Sequence, residues 1–289
     1  MARGSSDGGF LGFLYGTTAG RLLLRPLTSR WLSRAAGRFL DSRASRFLIC
    51  PFIRRNGIEM ADYQEEEYAS FNAFFTRAIR PEARAWSDDP QVLSAPCDGR
   101  LSVYAIGEDS TFIIKHSRYD VDALLGHDPK GARFLGGTCL VFRLAVDDYH
   151  RYHYFDDGEK GENRFLPGRL HTVRPIALAY NKVFIQNCRE YTLMRTAHFG
   201  TAAQIEVGAM LVGKIRNHMG AGAFHRGEEK GCFLYGGSTI VVLLEKGAAE
   251  IDDRFWRASR REEEVRVRLG EAIGRAGQDQ CRRVLCRNG

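Results

Sequence analysis

Seven cysteines are scattered along the 289 residues, yet no CxxC pair occurs and none clusters with histidine at zinc-site spacing. The pattern reads as reduced thiols in a cytosolic compartment, not as a disulfide framework. HExxH is absent, which speaks against a metalloprotease helix, and Asp147 and Asp148 are the sole further ligands near the paired histidines described below, so no metal is expected. The longest uncharged stretches, 8–20 and 231–244, fall short of the ~20 apolar residues that a spanning helix needs. Residues 1–9 lack a basic start followed by an apolar core, so no secretory signal is expected. There is no internal repeat and no low-complexity tract. Ser238 lacks a nucleophile elbow, because Ile240 stands where GxSxG requires glycine.

Charge is present but unevenly placed. Of the formal net +7, residues 1–55 carry ten arginines (3, 21, 25, 30, 34, 38, 43, 46, 54, 55) against Asp7 and Asp41. The excess positive charge therefore sits in the N-terminal fifth. These arginines alternate with apolar clusters such as Phe10–Leu11, Leu22–Leu24, Trp31–Leu32 and Phe47–Ile49, broken at Pro26 and Pro51. The periodicity predicts two or three short amphipathic helices over residues 1–60. They suit an anionic membrane surface, with apolar side chains at the acyl boundary and guanidinium groups on headgroups. A helical cap packed on the core and an organelle transit peptide have the same composition. A nucleic-acid arm is disfavoured, because the basic residues are diluted with bulky aliphatics.

Residues 71–79 place Phe71, Phe74, Phe75 and Ile79 on one helical face that Pro81 closes, a stripe suited to core packing. From about Val92 the pattern turns to short β-branched and aromatic runs between glycine or charged turns: LSVYAI, TFIIK, CLVFRLAV, KVFIQN, YTLM, AAQIEVGAMLVGKI, STIVVLLE and EVRVRL. The expected fold is α+β, a mostly antiparallel β core of barrel or sandwich type behind N-terminal amphipathic helices.

Three stretches carry candidate chemistry. CLVFRLAVDDYHRYHYF ends an apolar run and delivers His150 and His153 among tyrosines, a setting for proton transfer or for a structural pair. In SAPCDGR, Asp98 is either a turn residue or a carboxylate that orients a histidine. YGGSTIVV puts Ser238 after two glycines at the threshold of a buried strand. A serine hydroxyl there lies close to the carbonyl of its own preceding residue, and unhindered Gly237 permits intramolecular attack; a glycine bulge before a strand has the same sequence.

Taken together and in order, YGTTAGRLLLRPL, FNAFFTRAIRPEAR, SAPCDGRLS, FRLAVDDYHRYH, the 171–194 and 199–215 segments, KGCFLYGGSTIVVLLEKG and VRLGEAIG resemble the phosphatidylserine decarboxylase family over about Tyr15 to Gly274. Val146 departs from the proline common in that family before the DYH turn. The resemblance implies a proenzyme that cuts its chain between Gly237 and Ser238 into a β subunit (1–237) and an α subunit (238–289). Ser238 would become a covalent pyruvoyl cofactor that forms a Schiff base with phosphatidylserine and releases phosphatidylethanolamine. By the same resemblance His153 is the general base of self-cleavage, Asp98 holds its imidazole, and His150 returns a proton to carbon. Residues 61–289 would form the catalytic domain and residues 1–60 the surface-associating segment. The expected location is peripheral, on the cytoplasmic side of a bacterial cell membrane; a homo-oligomer is left open. A serine hydrolase using Asp98, His153 and Ser238, and a non-catalytic membrane-binding β domain, are the rival readings.

Overall fold

The computed structural model describes residues 7–114, 117–173, 182–209, 214–234 and 238–278. Four helices open the chain: α1 (Asp7–Gly16), α2 (Thr18–Leu27), α3 (Arg30–Asp41) and α4 (Ile49–Asn56). Pro26 lies in the last turn of α2, and Ser29 then caps α3 by accepting the Leu32 N–H. Pro51 falls in the first turn of α4, where its missing N–H costs nothing, so it opens a helix instead of breaking one. Gly57 ends α4 in the left-handed region at φ 61°, a conformation glycine adopts without strain.

The aromatic stripe forms a single short helix, α5 (Phe71–Phe75), capped by Ser70. It is shorter than the 71–79 periodicity predicts. The Thr76 hydroxyl bonds back to Asn72 O, and Ile79 leaves the helical path to bridge Tyr63. Phe71, Phe74 and Phe75 are nonetheless buried, in a cluster with Leu40, Ile58, Tyr63, Tyr149 and Leu269.

The β region follows with β1 (Val92–Ser94), β2 (Gly99–Ala105), the hairpin β3 (Thr111–Ile114) and β4 (Ser117–Asp120), α6 (Val121–Leu124), β5 (Thr138–Leu144), β6 (Arg151–His153), β7 (Gly158–Lys160) and β8 (Arg164–Leu166). Then come α7 (Val183–Gln186), β9 (Arg189–Thr196), β10 (Thr201–Val207), β11 (Ile215–Asn217), β12 (Gly222–Phe224), β13 (Glu229–Phe233), β14 (Ser238–Leu244), β15 (Ala249–Ile251), α8 (Asp253–Arg260), β16 (Val265–Val267) and β17 (Ala272–Ala276). One nine-stranded sheet runs β12-β7-β9-β10-β14-β5-β2-β16 with β8 beside β9. Its pairs are antiparallel, and its two ends do not meet, so the core is layered and open, not a closed barrel.

β14 sits in the middle of this sheet, between β10 and β5, and all seven of its residues are buried. Its side chains alternate between two cores. Ile240, Val242 and Leu244 join Phe142, Phe233, Phe255 and Ile273 on the face covered by β1, β15, β17 and α8; Val241 and Leu243 join Leu14, Tyr15, Leu24, Tyr119 and Phe184 on the face covered by α1, α2 and the β3–β4 hairpin. Burying each such aliphatic side chain contributes about 1.5–3 kcal/mol, which fixes the strand from both sides.

KVFIQN is helical, contrary to the strand its β-branched residues suggest. Val183 and Phe184 pack into the second core, while the Asn187 side chain caps no strand but clamps His171 N–H, His171 O and Gly208 O. Tertiary contact overrides local propensity there. The long run 202–215 divides into β10 and the start of β11; residues 210–213 within it lie outside the described residues.

Candidate active site

Register places the candidate serine. Ser238 is the first residue of β14 and pairs with Leu144, the last residue of β5, so the chain leaving β5 turns directly over its hydroxyl. That turn is closed by side chains. Asp148 Oδ2 accepts Ala145 N–H at 2.7 Å and the Arg100 guanidinium at 3.2 Å, and His150 Nε2–H donates to Ala145 O at 2.9 Å. Val146, where the family commonly has proline, is thus inside a turn already fixed by Asp148 and His150.

The geometry also fixes a tautomer. A carbonyl only accepts, so the His150 proton is on Nε2 and Nδ1 presents its lone pair, 3.3 Å from Ser238 Oγ. Both residues are fully buried, and the Phe75 ring stacks on the imidazole at 4.1 Å. Burial, reinforced by the charge of Arg77, lowers the His150 pKa to about 3. His150 is therefore neutral at physiological pH and faces the hydroxyl as a proton acceptor.

His153 stands on β6, whose N–H bonds Pro96 O at 2.8 Å. Its Nδ1–H donates to Gly227 O at 2.9 Å, and its buried Nε2 has no partner among the described residues. Gly227 reaches that position with φ 77°, in the left-handed region. Burial lowers the pKa of His153 as well.

Asp98 is held differently from the orienting carboxylate expected. The fork of Arg84 grips it through Nε at 3.1 Å and Nη2 at 2.6 Å, and Leu269 N–H donates to it at 2.7 Å. Its field favours protonated His153, but the tautomer of His153 is set by the Gly227 carbonyl. The structure thus brings Ser238 and His150 into contact and sets His153 and Asp98 within electrostatic reach of each other, while among the described residues His153 makes no hydrogen bond to Ser238. Gly237 lies outside the described residues.

A buried hydroxyl at the head of a central strand, facing a neutral imidazole, occurs here in a chain that a family model matches over most of its length. The model for phosphatidylserine decarboxylase matches residues 71–275. This chain belongs to the phosphatidylserine decarboxylase family. A Clostridium acetobutylicum protein named phosphatidylserine decarboxylase proenzyme 2 is 43% identical over 92% of this chain and 91% of its own length. Proteins named phosphatidylserine decarboxylase proenzyme from Ruminiclostridium cellulolyticum and Fusobacterium nucleatum are similar at 37% and 34% identity, over 93% and 92% of this chain and 92% and 91% of their own lengths.

Within this member of the phosphatidylserine decarboxylase family, several site residues escape sequence reading. Ala145 and Gly227 act through backbone carbonyls, which no side-chain pattern reveals. Phe75 is legible as core but not as the ring under His150. Arg77 and Arg84 stand in FNAFFTRAIRPEAR, where an arginine inside an aromatic stripe is the one available signal.

Proposed function

We propose that this chain is a phosphatidylserine decarboxylase proenzyme that cuts itself between Gly237 and Ser238 and then converts phosphatidylserine to phosphatidylethanolamine. The single observation carrying this is the buried Ser238 hydroxyl, 3.3 Å from the bare Nδ1 of His150, in a chain of that family. The hydroxyl adds to the Gly237 carbonyl carbon, the amide nitrogen takes a proton, and the C–N bond breaks to leave an ester. Loss of the serine α-proton expels the Gly237 carboxylate and leaves dehydroalanine, from which water displaces ammonia. The site fits the pyruvoyl group that results, because position 238 is enclosed by buried side chains and faces the lone-pair Nδ1 of His150. That ketone supplies an electron sink for the electron pair left when carbon dioxide departs.

His153 is the base of self-cleavage in this reading. Its Gly227 bond leaves Nε2 as the lone-pair nitrogen, burial keeps it neutral, and the charge of Asp98 stabilises the imidazolium formed. His150 passes a proton to carbon through Nδ1, the lone-pair nitrogen that faces position 238, after taking that proton from water. A second reading has His150 take the hydroxyl proton as well, and the 3.3 Å contact favours it.

Peripheral attachment to the cytoplasmic face of a bacterial membrane completes the proposal, with residues 1–60 as the attaching segment and 61–289 as the catalytic domain. Its support is the exposure of Phe13, Leu22, Leu23, Trp31, Phe39 and Phe47 beside exposed Arg38, Arg43, Arg46, Arg54 and Arg55. Among the described residues no helix is long and apolar enough to cross a membrane.

Denaturing electrophoresis and mass spectrometry of the purified protein test the chemistry. Ser238→Ala stays whole; the parent yields a fragment beginning at a pyruvoyl group. His153→Ala stays whole, whereas His150→Ala is cut but loses on the order of 100-fold or more in turnover. The reverse pattern for the two histidines supports the second reading, and an unmodified serine heading the fragment of an active preparation sinks the proposal.

A further inference from the structure

Two arginines among the described residues are buried without a carboxylate partner, and they are solved in opposite ways. Arg189 is saturated: its guanidinium donates to the carbonyls of Ala123, Leu124, Ile185 and Asn187. Arg77 is not. It is 1% exposed, yet among the described residues its guanidinium makes only a long 3.4 Å bond to Phe74 O and a 2.9 Å bond to the Tyr63 hydroxyl, and its Nε has no partner there. The remaining contacts are ring faces, with the guanidinium carbon 4.0 Å from the Tyr63 centroid and 4.8 Å from that of Phe74.

A buried cation with unused donors costs several kcal/mol unless an anion compensates it. The other guanidinium at this end of the molecule, Arg84, is neutralised by Asp98 and Asp62. Arg77 lies within electrostatic reach of the reacting groups. Its charge is felt at His150, whose ring lies on Phe75, two residues before it, and whose Nδ1 faces Ser238. Its burial is no greater than that of Ser238 and His150.

We propose that Arg77 is the anion-recognition residue of the active site and takes a phosphodiester oxygen of the substrate headgroup. This rests on the decarboxylase reading above. The substrate offers two anions, a carboxylate and a phosphodiester. Decarboxylation draws charge off the carboxylate, so a cation fixed on it would stabilise the ground state and slow the reaction. The phosphodiester keeps its charge from substrate to product, so binding it there anchors the headgroup without opposing the chemistry. Arginine also matches the geometry, offering paired N–H groups to two phosphate oxygens.

The test uses the mature, self-cut protein and two small probes: dimethyl phosphate, a phosphodiester without amine or carboxylate, and acetate, a carboxylate without phosphate. NMR-detected titration is expected to show dimethyl phosphate bound to the parent protein in preference to acetate, and binding lost in Arg77→Gln. In mixed micelles Arg77→Gln is expected to raise KM for phosphatidylserine about tenfold or more, with kcat changed less, and Arg77→Lys to recover part of that loss. Electrophoresis of the same samples separates the two ideas, since an uncut parent protein contradicts the self-cleavage reading and leaves the titration to judge Arg77. Absence of dimethyl phosphate binding to the parent protein, equal binding by Arg77→Gln, or preference for acetate each overturns the assignment. The parent titration decides even where a variant fails to fold.

Discussion

Lys230 and Glu206 meet at 2.8 Å with neither side chain exposed, and Asn217 bonds both, at 2.7 Å to the ammonium and 3.4 Å to the carboxylate. Burial pushes the Glu206 carboxyl upward against the pull of the lysine. Removing one partner strands a charge in the core, so Lys230→Ala is expected to cost about 3–5 kcal/mol in urea unfolding, measured in the uncut Ser238→Ala background. Replacing both by apolar side chains, Lys230→Met with Glu206→Leu, is expected to cost much less; equal losses would contradict the buried-charge account. None of this pair is visible in the sequence, where the two residues are 24 positions apart and look like surface charges. Ser238, His150, His153 and Asp98, by contrast, are legible, because each sits in a short stretch of unusual composition. What the stretches do not disclose is who touches whom: the partner of Asp98 is Arg84, and the partner of Ser238 is His150.

At the scale of elements, four N-terminal helices stand where the periodicity predicts two or three; α1 is apolar without one distinct stripe, whereas α2, α3 and α4 each need only local hydrogen bonds and one apolar stripe. The same stripes remain partly uncovered. Leu22, Leu23 and Trp31 are 59%, 54% and 76% exposed, an apolar surface that a lipid boundary would cover. Changing these three to serine is expected to cut binding to anionic vesicles about tenfold or more in sedimentation, while electrophoresis shows self-cleavage intact. Raising salt should weaken the parent protein's binding, because headgroup attraction is screened over ~10 Å at 0.1 M. Unchanged binding by the triple variant would remove these helices from the membrane proposal. The strands are less legible. β6, β7, β12 and β15 are three residues each, too short for a period of two to register, and α7 takes its form from the core it enters.

For the molecule as a whole, burying neutral histidine couples folding to pH. His150 is lowered from 6.5 to about 3, and His153 and His171 are lowered too, all chiefly by burial. Between about pH 6.5 and pH 3 the unfolded chain binds the His150 proton and the folded chain does not, so stability rises with pH across that window and is lost as pH falls. Buried Asp148, Asp156 and Glu206, raised by burial, bend the total the other way. The difference between His150→Asn and its parent, both in the Ser238→Ala background, isolates the histidine. Thermal unfolding of the parent should fall more steeply from pH 6.5 to pH 4, and parallel curves would mean that His150 is not the buried neutral base described here.

The sequence by itself determined the family, the antiparallel character of the core, the charge imbalance of the first fifth and the candidates for the reacting side chains. These follow from composition, short-range pattern and motif order, which a linear chain carries in full. The tertiary structure alone decided that Ser238 faces His150, that a backbone carbonyl sets the tautomer of His153, and that Arg77 lies buried with donors to spare. Such pairings join residues up to 88 positions apart through sheet register and burial, and neither quantity exists until the chain has folded.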